Sequence, residues 1–190
     1  MRVKTVWFRK QDARAPEDAA SVLAATLWRL ADQLVENLSR AGYRIVTPER
    51  GLRILVEVLG FGLHLCDRRA CARWPQNERA ALVQATGTRL AEIMEQNLRE
   101  LGDPEAGDSR AGFVALLNRR ADDYSRFELP EPGANFPALR CLGAHIREVM
   151  ESDDQHWIMD QIIEIETPEL LGTLNKALDG LLAPREARGM

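Results

Sequence analysis

The stretch Ile54-Leu-Val-Glu-Val-Leu-Gly-Phe-Gly-Leu-His-Leu-Cys66 decides the fold of this chain. It is apolar on every side of a helix, yet it carries the carboxylate of Glu57 and the imidazole of His64. Its thirteen residues fall short of the roughly 20 that a membrane-spanning helix needs. A helix that is apolar all round and too short for a membrane belongs in the interior of a protein. The stretch is therefore predicted to be a buried central helix.

Apolar residues at helical spacing extend this prediction along most of the chain. Thr47 followed by Pro48 predicts the start of the central helix, which runs to about residue 72. The first helix is predicted to begin at Pro16 and to end before Gly42, a residue suited to the position after a helix. Further helices are predicted over 76–101, from Ser109 onward, over 138–151, over 158–165 (where a strand is the alternative), and from a second Thr-Pro-Glu start at Thr167 to 182.

These elements predict an all-α fold, an irregular antiparallel bundle of six or seven helices around the helix at about 48–72. The length of 190 residues fits one domain, and we assign residues 16–182 to it. Residues 1–15 are expected to be an N-terminal arm and residues 183–190 a flexible tail. Residues 128–137, Glu-Leu-Pro-Glu-Pro-Gly-Ala-Asn-Phe-Pro, are predicted to form an irregular loop.

Charge and cysteine content restrict the partners of this protein. The formal charge is −4, from 25 basic and 29 acidic side chains, and no basic run stands out. Nucleic acid is therefore not expected as a partner. The sequence shows neither a signal peptide nor a segment long enough for a membrane, so we expect a cytoplasmic protein without membrane contact. Its three cysteines are expected to be reduced thiols.

A first candidate site lies on the central helix. Glu57, His64 and Asp67 fall on one face, because their spacings of seven and three nearly complete whole turns. Helical bundles bind iron, manganese or zinc through such inward groups, but they use Glu-x-x-His motifs, and no such motif occurs here. The competing interpretation is structural: Glu57 pairs with an arginine such as Arg53, and His64 is a hydrogen-bonded core histidine. A bundle with a buried histidine and acid loosely resembles the ferritin-like proteins, and equally the ligand-binding halves of helical transcription regulators.

A second candidate site uses sulfur. Cys141 and His145 lie one helical turn apart, and His64 and Cys71 share a face of the central helix. Two histidines and two cysteines would suit a tetrahedral zinc ion if the two helices touched. Cys141 with His145 could also form a thiolate pair for nucleophilic catalysis, although the sequence offers no third group to orient it. The alternative is that these thiols are ordinary buried side chains.

A third candidate site is a binding surface. Tyr124, Phe127, Phe136 and Trp157 flank the loop at 128–137 or lie near it in sequence. Rigid aromatic side chains beside an irregular segment suit a protein interface or a ligand cleft, and the alternative is that they fix the loop to the bundle. Because no catalytic motif occurs, we expect a non-enzymatic protein that self-associates, in the simplest case as a homodimer. It would bind a protein partner or a small ligand through this surface, without a cofactor. The alternative is a metal-binding bundle.

Overall fold

A computed structural model describes residues 16–102, 106–127 and 136–182, and the predicted arm and tail lie outside these ranges. The described part of the chain is helical and contains no strand. Its helices are α1 (Pro16–Arg40), α2 (Pro48–Cys71), α3 (Gln76–Glu100), α4 (Ala106–Ser125), α5 (Phe136–Val149), the short α6 (Ile158–Asp160), a π-helical segment (Gln161–Glu166) and α7 (Thr167–Leu181). The prediction of an all-α bundle is confirmed.

Helix α2 forms the centre of the bundle. It contacts α1, α3, α4, α5 and α7, and every residue from Ile54 to Cys66 is buried. These five helices are apolar on one side only, so each covers a part of α2 and exposes its own polar side. In the described part of the chain, no helix combines the length and the apolar character that a membrane crossing requires.

The predicted end of α1 and the predicted start of α2 are confirmed. The side chain of Thr47 accepts a hydrogen bond of 3.2 Å from the backbone N–H of Arg50, and Pro48 occupies the first turn of α2. Gly42 follows α1 with a φ of 95°, a left-handed conformation that glycine adopts without the steric penalty of a Cβ atom. Local side-chain chemistry thus places both ends of the turn between α1 and α2.

Two predicted helix starts and one predicted helix cap were wrong. Helix α4 begins at Ala106 and not at Ser109, and α5 begins at Phe136, inside the segment predicted as a loop. Pro137 is tolerated there because the N–H groups of a first helical turn have no intrahelical partner. Thr167 does not cap a new helix, since its hydroxyl donates to the carbonyl oxygen of Ile163 at 2.8 Å and the chain is already helical before it.

The π-helical segment is held against the end of α1 by a buried carboxylate. Glu166 is 5% exposed. One of its oxygens accepts from the side-chain amide of Asn37 at 3.0 Å, and the other accepts from that of Gln161 at 2.9 Å. These two bonds satisfy a group that would otherwise be expensive to bury. The helical conformation across residues 158–165 also decides against the strand that their isoleucines allowed.

The turn after α1 is tied to the turn after α5. The guanidinium of Arg44 lies 2.7 Å from an Asp153 carboxylate oxygen, and its backbone N–H donates to Asp154 at 2.9 Å. Arg50 lies 2.8 Å from Glu151 in the same region. The carboxyl-terminal end of α1 and the stretch that leads into α6 are therefore neighbours.

Two glycines set the spacing of the helices around α2. A Cβ atom on Gly60 would lie 2.9 Å from the Cβ of Arg120 on α4, and one on Gly62 would lie 2.5 Å from a methyl group of Leu27 on α1. Both distances are shorter than van der Waals contact. A glycine inside a helix permits either close approach of a neighbouring helix or a local bend, and close approach is what the structure contains at both positions.

Candidate functional site

The close approach of α4 at Gly60 brings an arginine to the buried carboxylate of α2. Nη2 of Arg120 lies 2.7 Å from Oε1 of Glu57, and its Nε also donates to Oε2, so the pair is bidentate. The same guanidinium donates from Nη1 to Asp123 at 3.0 Å. The side chain of Glu57 is 6% exposed and that of Arg120 is 16% exposed. This is a buried ion pair whose charges satisfy each other.

Helix α5 adds an imidazole and a thiol to this group. Nδ1 of His145 lies 3.7 Å from Glu57, and its Nε2 lies 3.5 Å from Asp123. Cys141, one turn earlier, places its sulfur 3.9 Å from the same Nε2. Glu57, Arg120, Asp123, Cys141 and His145 together are called the polar cluster below. It joins α2, α4 and α5.

Tyr124 fills the space beside the polar cluster. Its ring stacks on His64 with the centroids 5.4 Å apart, and it meets Phe61 edge-on at 5.5 Å. The ring of His145 meets it edge-on at 6.0 Å. Tyr124 is 0% exposed, so it acts as a core residue of the α2–α4–α5 junction.

The charges of the polar cluster disfavour a reactive thiolate. Burial raises the pKa of the Cys141 thiol, and the nearby Asp123 carboxylate raises it further, against the opposing effects of Arg126 and Arg120. Burial and then Arg120 lower the pKa of His145. Both changes favour a neutral thiol and a neutral imidazole over the thiolate–imidazolium pair that catalysis would need.

The three residues predicted as metal ligands contact three different neighbours. Glu57 pairs with Arg120, and not with Arg53 as the competing interpretation suggested. Asp67 forms a bidentate pair with Arg79, with an Nε to Oδ1 distance of 2.6 Å. Nε2 of His64 has no hydrogen-bond partner among the described residues, where the ring instead stacks on Tyr124. In residues 16–102, 106–127 and 136–182, no group of three or more histidine, cysteine or acidic side chains is arranged to hold a metal ion. The metal site stays a prediction.

The four predicted aromatic residues divide between the interior and the surface. Tyr124 is buried, so it cannot be part of a binding surface, and Phe127 is half-buried against it. Phe136 is 59% exposed and Trp157 is 66% exposed. The structure adds Ile165, which is 59% exposed on the π-helical segment. Sequence spacing gave no sign of this, because Ile165 follows the same pattern as its buried neighbour Ile162.

A shallow groove of about 400 Å³ runs between α1 and α3. Small side chains of both helices line it, and Arg89 at its edge pairs with Glu92 at 2.6 Å. None of the residues predicted to form a site lies in this groove.

Stability is expected to fall when the pH drops below neutrality. Burial, and to a smaller degree Arg68, lowers the pKa of His64 from 6.5 to about 4, while Asp67 opposes the shift. The unfolded chain therefore takes up a proton near pH 6.5 that the folded protein accepts only near pH 4, so this stability is complete above pH 6.5 and is lost on acidification. Between pH 7 and pH 5 we expect a loss of up to about 2 kcal/mol.

Urea unfolding at the two pH values measures this loss. His64→Phe keeps a ring beside Tyr124. The free energy of unfolding of this variant should depend less on pH, and His145 should account for the dependence that is left. An unchanged pH dependence in this variant would contradict the assignment to His64.

Comparison of the chain with protein-family models, with curated proteins and with solved structures finds no match in any of the three.

Proposed function

We propose that this is a non-enzymatic, cytoplasmic protein that self-associates through an exposed surface formed by Phe136, Trp157 and Ile165, called the apolar surface below. The observation that carries the proposal is the exposure of Trp157, at 66% the largest among these three side chains. A tryptophan gains more from burial in an interface than almost any other residue, and tryptophans are enriched among the residues that dominate binding energies.

The position of the apolar surface supports this assignment. Phe136 begins α5, and Trp157 and Ile165 belong to the stretch of α6 and the π-helical segment, which packs on α5. They are three of the six large apolar side chains that the described residues leave exposed, and Trp157 and Phe136 are the two aromatic ones among the six. Exposed apolar side chains that form one patch mark interaction sites more often than isolated ones do, and the proposal takes these three side chains to form such a patch.

The polar cluster supports a structural role for the ionisable core residues. Arg120 donates hydrogen bonds to both carboxylate oxygens of Glu57. This leaves the carboxylate little capacity to bind a substrate or transfer a proton. The raised pKa of Cys141 and the lowered pKa of His145 favour the neutral forms of both side chains. The three cysteines form no disulfide in the structure, which agrees with a reducing compartment.

Light scattering coupled to size-exclusion chromatography tests the proposal. We expect the protein to be at least dimeric at high concentration and to dissociate on dilution. Trp157→Ala combined with Ile165→Ala should weaken the association by about tenfold or more, because a buried tryptophan in an interface contributes about 2 kcal/mol or more.

A matched control is the pair Leu101→Ala and Val114→Ala, which removes exposed apolar side chains elsewhere. This control should associate like the unmodified protein. A strict monomer at high concentration would contradict the proposed function.

A further inference from the structure

The apolar surface lies within a strongly acidic part of the chain. From Glu148 to Asn175 there are eight acidic residues and neither a lysine nor an arginine. Asp160 and Glu164 are exposed and lie close in sequence to Trp157 and Ile165. Glu151, Asp153 and Asp154 form ion pairs with Arg44 and Arg50. Among the described residues, Asp160 and Glu164 form no ion pair.

The exposed apolar and acidic side chains of this part of the chain recur at helical spacing. Trp157, Asp160 and Glu164 follow one another at intervals of three and four, and Ile165 adjoins the last of them. A partner would have to offer positive charges interleaved with large apolar side chains. Opposite charges steer two surfaces together and set their register, while the apolar contacts hold the complex.

The sequence contains a segment of this chemistry. Residues 2–14 carry five basic side chains and one acidic side chain, Asp12, and Val3, Val6, Trp7 and Phe8 are interleaved among the basic ones. We propose that the apolar surface and the carboxylates of Asp160 and Glu164 bind residues 2–14 of a second copy of this chain. The inference rests on the proposed self-association and specifies its contact.

The proposed self-association assigns this segment to a second copy. A segment of the same molecule would cover the apolar surface within one molecule, and the unmodified protein would then be a monomer.

Charge-reversal variants of the full chain test the contact. One variant carries Arg9→Glu and Lys10→Glu, and the other carries Asp160→Lys and Glu164→Lys. Each variant alone should associate at least about tenfold more weakly than the unmodified protein, since like charges then face each other. An equimolar mixture should regain the association, because both contacts between unlike variants are again complementary. Added salt should weaken the association of the unmodified protein.

The controls reverse the same charges at exposed positions elsewhere, as Arg29→Glu with Arg119→Glu, and as Asp32→Lys with Asp122→Lys. Circular dichroism verifies that each variant is folded. Variants that associate like the unmodified protein, or a mixture that stays dissociated, would overturn this contact while leaving self-association through the apolar surface in place. A monomeric unmodified protein would overturn both.

Discussion

Replacing Arg120 by alanine is expected to lower the free energy of unfolding by about 3–5 kcal/mol, because the substitution leaves the buried carboxylate of Glu57 without a partner. The side chain of Glu57 is 6% exposed, so water cannot take the place of the guanidinium. Urea unfolding at pH 7, followed by circular dichroism, measures the change.

Two comparison variants make this result specific. Asp67 and Arg79 form a similar bidentate pair, but their side chains are 24% and 30% exposed, so Arg79→Ala should cost only about 1 kcal/mol. Replacing both partners of the buried pair, as Glu57→Leu with Arg120→Met, should cost less than Arg120→Ala alone, since no charge is then left unpaired. A double variant as unstable as Arg120→Ala would contradict the explanation.

Gly60→Ala is expected to destabilise the protein by about 2 kcal/mol, although alanine favours a helix over glycine by up to about 1 kcal/mol. The added methyl group would lie 2.9 Å from the Cβ of Arg120, an atom that cannot move without its own backbone. The substitution therefore has to push α4 away from α2 and disturb the ion pair with Glu57. The midpoint of urea unfolding measures the effect.

Other glycines in the same fold provide the controls. Gly62→Ala meets a terminal methyl group of Leu27, which can rotate away, so its cost should be smaller. Gly112→Ala on α4 meets no atom of the described residues within 4 Å and should stabilise the protein by up to about 1 kcal/mol. If Gly60→Ala were as favourable as Gly112→Ala, the close approach of α4 would not be needed for stability.

The fold was predictable because its main determinants are local. Residues 54–66 are apolar on all sides, so composition alone placed this helix at the centre. Thr47 with Pro48 and the glycine at 42 marked helix ends through interactions within a few residues. The wrong starts of α4 and α5 arose where proline and polar residues lie in a first helical turn, which tolerates them as readily as a loop does.

The site was less predictable because its contacts are distant in sequence. Glu57 and Arg120 are 63 positions apart, and no spacing rule favours Arg120 over the nearby Arg53. The burial of Tyr124 likewise depends on which helices are neighbours. Gly60 and Gly62 are compatible in sequence with either a close approach or a bend, and nothing in the sequence identifies α4 or Arg120 as the neighbour that Gly60 meets.

The all-round burial of α2 also has a consequence for how this chain is made. A ribosome releases residues 54–66 well before it has synthesised α4 and α5, which cover part of that helix. The apolar surface of this helix in the nascent chain would therefore stay exposed until α4 and α5 have also been synthesised. Such exposure invites aggregation, so protection by chaperones during translation should matter more for this protein than for bundles built from one-sided helices.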